Sequence, residues 1–125
     1  MIHIELENRS GLRIEEDEAS ALARRVLEAE GISEGDLGLA FVSPDEIRAL
    51  KRDHLGSDEA TDVLSFPIDG RDDLPAGLPR QLGDVVLCPA IVADAWRRPL
   101  VHGLLHLLGY DHSEEMERRE ANLLS

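Results

Sequence analysis

With 125 residues, 42% of them apolar, the chain has the length of one domain and the material for one core, which excludes a multi-domain arrangement. Its 13 basic and 26 acidic residues give a net charge of −13, which opposes non-specific binding to a polyanion, so any nucleic-acid contact must be local. The lone cysteine, Cys88, cannot close an intramolecular bridge and reads as a small buried hydrophobe; no apolar run nears the roughly 18 residues of a membrane span, and the start does not resemble a signal peptide, so a soluble, intracellular protein without a membrane partner is expected.

Ile2, Ile4 and Leu6 alternate with polar neighbours as in a half-buried strand, which the turn at Ser10-Gly11 ends. From about Glu15 to Glu30 the pattern is helical: Leu22, Ala23, Val26 and Leu27 form an apolar stripe, acids crowd the first turn, and Gly31 supplies a stop. Leu37, Leu39 and Phe41 predict a second strand. Ser43-Pro44-Asp45-Glu46 then offers an N-cap serine, a proline at the first helical position and a capping-box glutamate, for a helix reaching about His54 and stopping near Gly56. Asp62 to Phe66 reads as a short strand closed by Pro67, the Gly, Pro and Asp-rich stretch 68–82 as a loop, and Asp84 to Cys88 as a central strand. Pro89 suits a first helical position, Pro99 forces a break or a new start, and a last amphipathic helix begins near Ser113 and carries Met116, Leu123 and Leu124. The order predicts one α+β domain over residues 1–125, a small mixed sheet packed against helices.

The densest chemistry lies in His102-Gly103-Leu104-Leu105-His106-Leu107-Leu108-Gly109-Tyr110-Asp111-His112. Residues four apart share a helix face, so His102 and His106 present imidazoles at a spacing one ion bridges. Gly109 permits the left-handed backbone that ends the helix, and His112 folds back as a third nitrogen ligand. Three imidazoles and a water make an open tetrahedral zinc site of the catalytic kind, one Zn2+ per chain. The spacing follows the metzincin H-x-x-x-H-x-x-G-x-x-H skeleton, but Gly103 stands where those peptidases carry the glutamate base, which disfavours peptide hydrolysis and leaves a phosphodiester as the fitting electrophile. Asp111 is expected to orient an imidazole or shuttle a proton, or else to satisfy only local backbone donors. His3 and His54 read as ordinary surface or core histidines, and Trp96 as core.

These residues resemble the YbeY endoribonucleases, bacterial rRNA maturation factors with the signature H-G-x-L-H-L-x-G-Y-D-H, which residues 102–112 reproduce at every fixed position. Thr61-Asp62-Val63-Leu64-Ser65-Phe66-Pro67 is similar to that family's T-D-V-L-S-F-P segment, and Leu82-Gly83-Asp84-Val85-Val86 to its L-G-D-[IV]-V strand. The resemblance implies a cytoplasmic, zinc-dependent endoribonuclease that prefers single strands. It also implies action on ribosomal RNA, in 16S rRNA 3′-end maturation and ribosome quality control, with a ribosomal subunit or ribosomal protein as a further partner. Within that frame Thr61, Asp62 and Ser65 line the site, and Arg97 and Arg98 contact phosphate. Leu55 falls where many members have an arginine that handles RNA, so Lys51 or Arg52, one turn earlier, is the replacement cation. The segment between the L-G-D strand and the metal helix, Pro89 to Val101, is shorter than is usual in the family. Two other functions compete: a ribosome-assembly binding factor whose zinc is structural, and a metal hydrolase acting on a peptide, against which Gly103 speaks.

Overall fold

The alternation at the start of the chain forms strand β1 (Ile2–Asn8) and the stripe after it forms helix α1 (Glu16–Ala29) in the computed structural model, which describes residues 1–58, 61–111 and 113–124. Glu16, Asp17 and Glu18 occupy the first turn of α1, where the helix dipole favours anions, and Ala19, Leu22, Ala23, Val26 and Leu27 are its buried face. Strand β2 (Gly35–Phe41) pairs parallel to β1, with Ile2 opposite Gly35, which makes α1 the crossover of a βαβ unit.

Helix α2 (Pro44–Leu55) starts as its capping residues dictate: the Ser43 hydroxyl accepts from the Glu46 N–H at 3.2 Å, Pro44 opens the first turn, and Gly56 ends the helix. Strand β3 (Val63–Pro67) then pairs antiparallel with β4 (Gln81–Leu87), and β4 also pairs parallel with β2. The result is a mixed four-stranded sheet in the order β1-β2-β4-β3, with β3 at an edge. β4 begins at Gln81, earlier than the expected Asp84, because the register slips between Asp36 and Leu37 and lets Gln81 pair with Asp36 while Leu82 is wholly buried.

The sheet separates two apolar clusters. On one face Leu37, Leu39, Leu82, Val85 and Leu87 meet α1 and the C-terminal helices; on the other, Val42, Leu64, Val86 and Cys88 meet Ile47 of α2. After the single turn α3 (Pro89–Val92) and the buried Trp96, helix α4 (Arg97–Leu107) starts anew with Pro99 in its first turn, where a backbone N–H has no helical partner to lose. It buries Leu100, Val101, Leu104, Leu105 and Leu107, each fully buried leucine stabilising by about 2 kcal/mol. Helix α5 (Glu114–Leu124) is capped by the Ser113 hydroxyl, which accepts from the Met116 N–H at 3.2 Å, and it buries Met116, Glu120 and Leu123 against α4.

Candidate metal centre and active site

Helix α4 lies against β3 and β4 with almost no clearance, and Gly103 is the residue at the contact. A Cβ at Gly103 would stand 2.8 Å from Val63 Cγ2 and 2.9 Å from Val85 Cγ1, so any side chain would enter the sheet and not the site. The residue next to the first histidine is therefore glycine for a packing reason, and a glutamate there could not reach a ligand held by His102. Ser65 Oγ reinforces the contact by donating to the Gly103 carbonyl at 2.6 Å.

The close approach leaves a cavity of about 660 Å³ between α4 and the edge strand, and the imidazoles of His102 and His106 face into it. Their Nε2 atoms are 3.1 Å apart, with ring centroids separated by 4.6 Å and planes at 79°. Each Nδ1 is held from behind: His102 Nδ1 is 2.7 Å from Glu120 Oε1, and His106 Nδ1 is 2.8 Å from the Tyr110 carbonyl oxygen. A carbonyl oxygen only accepts, so His106 Nδ1 is the donor, and the neutral ring presents its lone pair at Nε2. The Glu120 carboxylate imposes the same tautomer on His102.

With both rings neutral and donating at Nδ1, the two Nε2 lone pairs would face one another at this distance, an arrangement that a cation between them relieves. Zinc–nitrogen bonds of about 2.05 Å at a tetrahedral angle put two ligand nitrogens roughly 3.3 Å apart, so the pair fits that ion to within a few tenths of an ångström. Backing of each ligand ring by an acceptor is also what metal-binding histidines require. His112, the third expected ligand, lies outside the described residues. Among the described residues no group of three His, Cys, Asp or Glu side chains forms a metal cluster.

The turn after α4 closes as the glycine predicts. Gly109 has φ +102°, the Gly109 N–H donates to His106 and the Tyr110 N–H to Leu105, both at 3.0 Å, a Schellman arrangement that presents the Tyr110 carbonyl to His106. The tyrosine is fixed from its other end, because its hydroxyl donates to Glu30 Oε1 at 2.8 Å. Glu30 closes α1 with its side chain buried, and it also accepts from Arg119 of α5 and from Arg71 at 2.9 Å. Burial pushes the Glu30 carboxyl upward, but hydrogen bonds from Arg119, Tyr110 and Arg71 outweigh it and hold the carboxyl below its ordinary range. The hydrogen bond to Glu30 in turn raises the Tyr110 hydroxyl above its own range.

The other expected residues divide. Thr61, Asp62 and Ser65 line the cavity, with the Asp62 carboxylate accepting from the Val63 N–H at 2.8 Å. Arg98 also lines it, whereas Arg97 pairs with Glu18 and Glu15 and stacks over Trp96 at 4.5 Å. Lys51 and Arg52 sit on α2 away from the cavity lining, Arg52 beside Asp53 at 3.3 Å. Asp111 is exposed, at a separate hollow with Arg71 and Tyr110. His3 is exposed on β1, and His54 packs edge-on to Phe66 at 5.2 Å. Sequence reasoning missed Glu120. Its signal was an acid on the apolar stripe of α5, four residues after Met116 and three before Leu123.

Comparison with known proteins adds the family. A protein of Halorhodospira halophila named Endoribonuclease YbeY is 42% identical, the match covering 89% of this chain and 82% of that one. One of the same name from Beutenbergia cavernae is 40% identical over 93% of this chain and 87% of its own. A Thermotoga maritima protein solved in solution superposes with a TM-score of 0.60 at 29% identity, covering 99% of this chain and 87% of that one. The family profile described as Endoribonuclease YbeY matches residues 3–124. With the profile spanning nearly its whole length, this chain belongs to the endoribonuclease YbeY family and is a nuclease of the hydrolase class.

Proposed function

We propose that this protein is a zinc-dependent endoribonuclease that cleaves single-stranded RNA, with His102, His106 and His112 as the metal ligands, and that it acts in the cytoplasm on ribosomal RNA, in 16S rRNA 3′-end maturation and ribosome quality control. The observation that carries the metal assignment is the convergence of two Nε2 atoms at 3.1 Å with both Nδ1 atoms anchored. Bound there, zinc would supply Lewis-acid polarisation of a phosphoryl oxygen and would lower the pKa of a coordinated water to about 7. The chain's own residues do the rest. Glu120 and the Tyr110 carbonyl hold the two rings in the ligating tautomer, which keeps the positive charge at one point in the cavity. Ser65, through the Gly103 carbonyl, fixes the helix that carries the rings against the cavity's other wall. Asp62 contributes a carboxylate to that wall. The absence of a glutamate beside His102 supports a nuclease over a peptidase.

The test is metal content of the purified protein, paired with cleavage of single-stranded RNA before and after chelation. One zinc per chain, loss of cleavage on chelation and recovery on adding zinc are expected; cleavage that survives complete zinc removal refutes the reading. A second reading, a ribosome-assembly binding factor with a structural zinc, is favoured by Leu55, 58% exposed where the family resemblance implies an arginine. Tight binding to ribosomal subunits with zinc present and no turnover would select it.

A further inference from the structure

We propose that Arg98 is the residue that grips the RNA backbone, holding the phosphate next to the scissile one; this rests on the nuclease reading above and fixes the register of the substrate. Three observations point to it. Arg98 is the only lysine or arginine among the described residues that line the cavity, where Asp62 and Glu120 are both acidic. Among the described residues no carboxylate forms a salt bridge with it, although the adjacent Arg97 is engaged by Glu18 and Glu15. Finally, it lies four residues before His102 on α4 and so shares that face of the helix, about 6 Å along the axis from the first of the two histidines.

That separation is about one nucleotide of extended backbone. With a phosphodiester at the imidazole pair, the chain's next phosphate falls within reach of a guanidinium whose planar fork suits two phosphate oxygens. The chain's net charge of −13 gives the local cation its weight, because the rest of the surface repels RNA. Of the two neighbouring arginines, Arg97 is spent on packing α4 to the start of α1, and Arg98 meets the substrate.

The experiment compares the zinc-loaded full chain with Arg98→Ala and Arg98→Lys. As a charge-matched control it uses Arg48→Ala, whose side chain is on α2 beside Asp58 at 3.7 Å. Steady-state cleavage of a single-stranded RNA gives kcat and KM, and binding of a 2′-O-methyl RNA of the same sequence across salt concentrations gives the number of phosphate contacts. Arg98→Ala is expected to raise KM about tenfold with kcat within about twofold, and to reduce the slope of log affinity against log salt by about 0.7, the loss of one phosphate contact on a single strand. Arg98→Lys should keep the slope, and Arg48→Ala should match the parent. Unchanged KM and slope in Arg98→Ala, or no binding by the parent, overturn the proposal. A parent that binds without cleaving refutes the nuclease reading alone, and the slope then still decides the role of Arg98.

Discussion

Replacing Gly103 with alanine separates helix propensity from packing, because the two predict opposite signs. In an exposed helix interior the change would stabilise by about 1 kcal/mol. Here the new methyl would meet Val63 Cγ2 at 2.8 Å, Val85 Cγ1 at 2.9 Å and Ser65 Oγ at 3.3 Å, against ordinary carbon contacts of about 3.5–4.0 Å. Valine side chains are stiff at χ1 and these two stand on a paired sheet, so the helix must move and the sheet will not. Overpacking of this kind costs about 1–3 kcal/mol, which leaves a net destabilisation of about 1 kcal/mol and a fall in Tm of about 4 °C. The helix must lift by several tenths of an ångström, which stretches the Ser65 to Gly103 hydrogen bond and shifts both imidazoles, so zinc affinity should fall as well. Thermal unfolding followed by circular dichroism reads the first effect and a competitive zinc chelator the second. In the Gly103→Ala background, Val63→Ala removes the shortest contact and should cost less than it does alone, a favourable coupling of about 1 kcal/mol. A Gly103→Ala protein with a raised Tm and parental zinc affinity would refute the account of why glycine stands beside the first histidine.

Glu120→Gln leaves the shape of the acceptor but removes its charge, and by the usual effect of a ligand-backing carboxylate it should weaken zinc binding about 10- to 100-fold, with a smaller change in Tm; parental zinc affinity would show that Glu120 is merely structural. Glu30 sets a pH dependence: its folded carboxyl titrates below the ordinary 4.5, so its contribution is fully present above that value and is lost as pH falls through the folded value. Urea unfolding should therefore show Glu30→Gln less stable than the parent by about 2 kcal/mol at pH 7, with the gap narrowing once the pH drops below about 4.5. A gap independent of pH would contradict this. Leu104→Ala, in the middle of the buried face of α4, should cost about 2–5 kcal/mol by the same unfolding assay, and a loss under 1 kcal/mol would mean that α4 is not the packed wall described above.

Local signals were readable wherever a short stretch of chain decides its own shape. The capping residues Ser43 to Glu46, the alternation of Ile2, Ile4 and Leu6, and Gly109 each act over a few residues, and each element formed at its expected place. The start of β4 was not readable, because Gln81 and Leu82 are made strand by pairing with β2, a contact some forty-five residues away in sequence. The same limit governed the site. The spacing of His102 and His106 announces their convergence, but which neighbours back them depends on α5 and on the turn at Tyr110. Arg97 and Arg98 look alike as letters, and only the packing of α4 on α1 distinguishes them. Asp111, the acid nearest to the histidines in sequence, is exposed, while Glu120, eighteen residues beyond His102, is buried against it.

Both acceptors that aim the imidazoles lie downstream of the helix that bears them, at Tyr110 and Glu120. During synthesis from the N-terminus, the sheet and α4 can assemble before either acceptor is in place. A chain ending at Ser113 would already hold His102 and His106 one turn apart, yet nothing from α5 would set the tautomer of the first ring. The aim of the first ring is therefore settled only when α5 docks, so the geometry of the imidazole pair depends on a helix made after the one that bears it.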